Sequence, residues 1–269
     1  MAINIHWMHR NHWENTQDGM AEMAKTLEDA NITSVLLPYG PTGTDFLLHV
    51  PEIFALTKNL KVMVALPAYG LTPEYALRIF DTMQRYGRDR LDLNLVAGNY
   101  NEDNERYVLN SYPGDLSIID SHEKRVKLTE NWMNKFVDLL KTQNFQTTLY
   151  VVGSSDTTIN VANNYTDYII IHTDLLNDEF LSKIKNTKIL LLIDPLIIED
   201  PKDLESIEYQ EYTYTKDSKH PMQGTEEEVI NMIKDISNKF KINDFLIHTD
   251  QKDISSLIKL SKSITSTNF

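Results

Sequence analysis

The chain contains no cysteine, which excludes disulfides, thiolate metal sites, iron–sulfur clusters and a cysteine nucleophile. Basic residues are scarce: Lys and Arg total 26 against 39 Asp and Glu, a formal net charge of −13. A chain with that balance repels a phosphate backbone, and its basic residues form no cluster, so nucleic acid is not an expected partner. No run approaches the roughly 18 consecutive apolar residues of a membrane-crossing helix. Nor do the first residues, from Met1 to His6, pair a basic segment with a long apolar one. The expectation is a cytoplasmic protein without membrane contact. Walker loop, serine nucleophile elbow and paired-carboxylate signatures are missing as well.

What is present is an enzyme-sized chain of 269 residues, 41% hydrophobic, with 9 Gly and 9 Pro. That is enough for one large barrel or two small domains with a sizeable core. Short β-rich runs at 3–8, 34–39, 62–67, 91–96, 149–152, 168–172, 189–193 and 245–248 alternate with amphipathic runs at 20–30, 45–58, 73–86, 123–141, 155–165, 177–185, 225–240 and 253–263. Eight β-α units in a chain of this length predict an α/β fold, a (β/α)8 TIM barrel occupying 1–269 as a single domain. A doubly wound open sheet is the alternative. The barrel puts the site at the C-terminal ends of the strands. Two long connections, 98–121 and 198–224, leave from such ends and stand over that site as covers.

The most informative stretch is Leu149-Tyr150-Val151-Val152-Gly153-Ser154-Ser155-Asp156. It reads as a strand, a tight glycine turn and a helix start, where open N–H groups, the helix dipole and two hydroxyls suit a phosphate. A plain serine N-cap is the alternative. Arg125, one turn into the helix opened by His122, can pair with a phosphate bidentately. Asn94 is an amide within the apolar run Leu93-Asn94-Leu95-Val96 and could meet a heteroaromatic ring edge or be a satisfied core amide. His172 and His248 end the sixth and eighth strands, where titrating groups are useful. His6, His9 and His12 suggest a metal by spacing, but on a strand His6 and His9 face opposite sides and no H-E-x-x-H motif accompanies them. No metal is expected; these are read as site-lining or surface histidines.

These residues resemble the luciferase-like flavin monooxygenases, within them the alkanesulfonate monooxygenase branch. The resemblance is carried by Val35-Leu36-Leu37-Pro38-Tyr39-Gly40, by 59–66, by Leu93-Asn94-Leu95-Val96-Ala97-Gly98, by His122-x-x-Arg125 leading into 136–140, and by 150–156. It implies a TIM barrel binding reduced FMN, or in some branches the deazaflavin F420. Gly153, Ser154 and Ser155 would cradle the phosphate, Asn94 would touch the ring, and His122 and Arg125 match an H-x-E-R-Y motif whose tyrosine is replaced by Val126. It further implies a two-component enzyme, with a separate flavin reductase, O₂ and a small organic substrate, commonly as a homo-oligomer. His9, Tyr39, His172 and His248 are candidate catalytic helpers by position. The sulfonate branch's cysteine, arginine, histidine and tyrosine fall at Gly43, Ile193, Pro195 and about Asp250, so sulfonate handling is not matched. A flavin-binding relative without turnover and an F420-dependent oxidoreductase are the alternatives.

Overall fold

The computed structural model describes residues 2–9, 17–39, 46–68, 70–96, 120–198, 200, 222–249 and 254–266. Gly43, His12, Asp250 and most of both long connections lie outside them. The elements run β1 (Asn4–Met8), α1 (Gln17–Asp29), β2 (Ser34–Leu37), a 3₁₀ turn (Phe46–His49), α2 (Val50–Leu56), β3 (Lys61–Pro67), α3 (Pro73–Gly87), β4 (Leu91–Val96) and α4 (His122–Gln143). They continue as β5 (Leu149–Val152), α5 (Asp156–Tyr165), β6 (Tyr168–His172), a 3₁₀ turn (Thr173–Leu175), α6 (Asp178–Ser182), β7 (Lys188–Ile193), β8 (Pro195–Ile197), β9 (Met222–Gly224), α7 (Glu226–Phe240), β10 (Asp244–Ile247) and α8 (Ser255–Ser266). Strands β1 to β7 and β10 pair in parallel in the order β1-β10-β7-β6-β5-β4-β3-β2 and close into a barrel. The open-sheet alternative is thereby excluded.

Parallel strands buried on both faces read as nearly continuous apolar runs, as in Ser34–Leu37, where all four residues are buried. One set of side chains, including Val35, Leu37, Leu93, Leu95, Ile169 and Ile171, packs outward under the helices. The other, including Leu36, Met63, Ala65, Ile170, Leu190 and Leu246, fills the lumen. Helix starts follow from capping chemistry. Thr72 accepts from Tyr75 N ahead of Pro73, and Thr225 and Glu228 cap α7 reciprocally, satisfying N–H groups that have no intrahelical acceptor.

Two differences from the sequence reading have local causes. The run at 45–58 divides into a 3₁₀ turn and α2 because Pro51 falls in the first turn of α2, where its missing N–H costs nothing; deeper in a helix it would break one. The long connection after the seventh strand begins and ends as strands: β8 pairs in parallel with β9, Leu196 opposite Gln223, and Ile198 N donates to Gly224 O at 2.8 Å.

At the N-terminal rim, Glu28 accepts from the backbone N–H groups of Lys58 (3.0 Å), Asn59 (3.1 Å) and Leu60 (2.8 Å). Arg90 holds the adjoining chain, donating to the carbonyls of Phe54, Leu60 and Gly87 and to Thr57 Oγ1. Partial burial pushes the Glu28 carboxyl up, but the three N–H groups, with Arg90, outweigh it and hold it below its ordinary 4.5. Its folded pKa therefore lies below the unfolded one, so the stabilisation is complete above that value and is lost as pH falls through the folded pKa. Glu28→Gln is expected to cost about 1 kcal/mol at neutral pH, with the gap to wild type closing in acid. Urea midpoints at a series of pH values check this; a gap independent of pH would refute it.

Candidate functional site at the C-terminal rim

The alternation of side chains along each strand determines what faces the lumen. In β4, Leu91, Leu93 and Leu95 pack outward, which turns Asp92, Asn94 and Val96 inward. The lower half of the lumen is polar and internally paired. His6 Nδ1 lies 2.7 Å from Ser34 Oγ, and its Nε2 lies 3.4 Å from Asp244 Oδ1. Asn4 Nδ2 donates to the same Asp244 oxygen at 2.9 Å. Lys61 Nζ lies 3.7 Å from Asp92, and the rings of Tyr150 and Tyr168 stack at 4.9 Å. Burial raises the Asp92 carboxyl. Burial, with Asp244 alongside, pushes the Tyr168 hydroxyl up to about 12. Burial would raise Asp244 too, but hydrogen bonds from His6 and Asn4 keep it below the ordinary carboxylate value. His6 is thus neither site-lining nor on the surface, as the sequence reading had it, but part of this internal network.

Above this layer the lumen is floored by Leu36, Met63, Ala65, Tyr150 and Ile170. Asn94 enters it between Ala65 and Tyr150, 2% exposed, its Oδ1 sealed from solvent with no hydrogen-bond partner among the described residues. A buried carbonyl oxygen without a donor costs about 1–3 kcal/mol.

The β5–α5 junction lies at the rim above. Gly153 has φ +138°, and a Cβ there would meet Thr158 Oγ1 at 3.2 Å. Its N–H is spent on Ile170 O at 3.3 Å, which ties the turn to β6. Ser155 caps α5: its Oγ accepts from Thr158 N at 3.2 Å and lies 2.8 Å from Thr158 Oγ1. The plain cap reading therefore holds for the Ser155 hydroxyl. The N–H groups of Ser154, Ser155, Asp156 and Thr157 have no acceptor among the described residues, and the Ser154 side chain is exposed. The acid at this helix start, Asp156, is paired with Lys183 Nζ at 3.0 Å, which offsets its repulsion of an incoming anion. Helix α4 packs on α5 and also starts at this rim, with Ser121 as its cap. Arg125, in its first turn, is 6% exposed. His122 is the first residue of α4; its side chain lies outside the described residues.

The four histidine and tyrosine candidates end up in different surroundings. His172, the last residue of β6, lies opposite lumen-facing Leu192, and its Nδ1 is 3.0 Å from Asp174 Oδ1. His248 follows β10, is nearly buried, and donates its backbone N–H to Ile193 O at 2.9 Å. Tyr39 follows β2 and is exposed. His9 is buried beyond β1, its ring edge-on to Phe46 at 5.1 Å. Phe46 belongs to the helix-side layer, so His9 is packed away from the lumen floor. Asp194 was missed by the sequence reading. It directly follows β7 and is 2% exposed. The signal for it was an acid ending the apolar run Ile189 to Ile193. Asp174 was missed too. Among the described residues no three His, Asp or Glu side chains gather as a metal site requires.

No family model matches the chain. Among solved structures, the fold is similar to that of an EDTA monooxygenase from Chelativorans sp. BNC1, with TM-score 0.76 and 11% identity over 98% of this chain and 93% of that one. It is also similar to a long-chain alkane monooxygenase, with TM-score 0.73 and 12% identity over 98% and 91% of the two chains. A third likeness is to the oxygenating constituent of 3,6-diketocamphane monooxygenase from Pseudomonas putida, in complex with FMN, with TM-score 0.70 and 10% identity over 98% and 97%. At such identities the shared property is the barrel fold over nearly its whole length.

Two substitutions test the geometry without any ligand. Gly153→Ala forces a side chain into a left-handed backbone against Thr158 and is expected to lower stability by about 1–2 kcal/mol in urea unfolding. Asn94→Leu replaces a buried amide oxygen that has no donor with a side chain of similar volume. The expected result is a protein more stable by about 1 kcal/mol; a loss of stability would show that the amide is structurally satisfied.

Proposed function

We propose that the chain is a flavin-dependent monooxygenase that uses reduced FMN, delivered by a separate reductase, and O₂ to oxygenate a small organic substrate. The observation that carries this reading is the pairing of two features at one rim: an anion-ready helix start and a buried Asn94 oxygen that lacks a donor among the described residues. A flavin supplies both complements, a phosphate tail and a ring with N–H donors on its edge. The shared fold with three monooxygenases, one of them with FMN bound, supports the same choice.

Residues here fit that group in definite roles. The N–H groups of Ser154, Ser155, Asp156 and Thr157, the Ser154 hydroxyl and the α5 dipole would hold the phosphate, with Arg125 supplying charge from α4. Asn94 would accept from the ring edge, and Leu36, Met63, Ala65 and Tyr150 would lie beneath an aromatic plane. Once bound and reduced, the flavin supplies the activation of O₂. The protein's own contribution is to orient the reactants and to keep water from an apolar lumen floor. The substrate is not a sulfonate on this reading. At the end of β7 the position matched to the sulfonate branch's arginine is Ile193, an uncharged side chain that packs under the helices and cannot pair with an anionic substrate. F420 in place of FMN is a second reading of the same cradle, since both carry a phosphate tail; a binding titration separates them.

FMN added to the purified protein is expected to bind with quenched fluorescence. Ser154→Ala and Arg125→Lys are expected to weaken binding about tenfold to a hundredfold, the equivalent of about 1.5–3 kcal/mol. Unchanged affinity in both variants, or no binding of FMN by wild type, would overturn the assignment. Tighter binding of F420 than of FMN would transfer it to the deazaflavin.

A further inference from the structure

We propose that Asp174 is a positioning residue that fixes the tautomer of His172 and makes His172 Nε2 the proton acceptor for the bound substrate. This deepens the flavin reading of the rim and rests on it for the identity of the chemistry, while the pair itself stands on geometry.

His172 ends β6 on the lumen side, opposite Leu192. The backbone two residues before it, Ile170 O, accepts from Gly153 N. That bond places the imidazole's strand end directly beside the turn assigned to the phosphate. The chain then enters the 3₁₀ turn Thr173–Leu175, which brings Asp174 Oδ1 to 3.0 Å from Nδ1. An ionised carboxylate only accepts, so the hydrogen in this contact belongs to Nδ1. In neutral imidazole the proton then sits on Nδ1 and the lone pair on Nε2. Nε2 has no partner among the described residues, and the His172 side chain is 36% exposed. A base held by a carboxylate on one nitrogen and open on the other is the arrangement that proton transfer requires.

The step balances without any further reagent. A substrate hydroxyl or protonated amine releases its proton to the Nε2 lone pair, the bonding electrons stay on the substrate oxygen or nitrogen, and the imidazolium is compensated by the Asp174 carboxylate. The substrate class implied is therefore a neutral or cationic molecule with an O–H or N–H group at or next to the reacting centre.

The Asp174 side chain is 72% exposed, so its replacement leaves the fold undisturbed. Long-range ¹H–¹⁵N NMR on histidine-labelled protein, with His172 assigned through His172→Gln, reports the tautomer directly. Wild type is expected to show Nδ1–H. Asp174→Ala is expected to shift His172 toward the Nε2–H form favoured in water, and Asp174→Asn, whose carboxamide oxygen still accepts, to restore Nδ1–H. A tautomer that does not move in Asp174→Ala overturns the proposal. Carbethoxylation of His172 by diethyl pyrocarbonate, followed by mass spectrometry, is expected to slow several-fold when FMN saturates the protein. FMN binding without protection places His172 outside the site and also overturns the proposal. Failure of FMN to bind overturns the flavin reading instead, and the tautomer measurement, which needs no flavin, still decides the pair.

Discussion

Closure of eight parallel strands into one ring is the constraint from which the site follows. Parallel pairing sends every strand's C-terminal end to the same rim, and with it every β-to-α turn and every helix start. Residues separated by as much as Asn94, Gly153, His172 and His248 then share a rim because topology leaves nowhere else for them. Closure also makes side-chain parity absolute. A position is either in the lumen or under the helices, which is why Asn94 and Leu192 face the lumen while Leu95 and Ile193, one residue away, belong to the packing layer.

The two ends of the lumen are chemically unlike. Below, His6, Ser34, Asp92 and Asp244 have partners on neighbouring strands, although Asp92 Oδ2, 3.7 Å from Lys61 Nζ, has no hydrogen-bond donor among the described residues; charges paired across strands are costly to open. Above, the floor is apolar and Asn94 Oδ1 has no donor among the described residues. A ligand gains by entering where it supplies something missing without first breaking a pair, and the upper end meets that condition. The stability forgone at Asn94 is what a bound ring edge would restore.

Much of this was legible in the chain. The alternation of β-rich and amphipathic runs predicted the barrel because each unit is long enough to show its period, and the glycine between Val152 and Ser154 marked the rim turn because only glycine takes φ +138° easily. What escaped had short or non-local causes. β8 and β9 are three residues each, too few to show a period of two, and their pairing partner lies across a long connection. The ring contact of His9 with Phe46, far along the chain, is of the same kind. Asp174 met His172 through a 3₁₀ turn, which no composition rule marks. At Ser155 the structure bears out the plain cap: its hydroxyl is consumed in capping, while the N–H groups around it have no acceptor among the described residues.

A net charge of −13 would seem to argue against an anionic cofactor, and distance is what resolves this. Exposed charges beyond about 8–10 Å are screened at physiological ionic strength, so the phosphate would feel chiefly its neighbours. There the balance is reversed: the α5 dipole, its open N–H groups and Arg125 favour an anion, and Lys183 cancels much of Asp156. The β8–β9 pair acts on entropy rather than charge: by pinning Ile198 to Gly224 at 2.8 Å, it joins two positions far apart in sequence just past β7, and ends already joined lower the closure entropy between them.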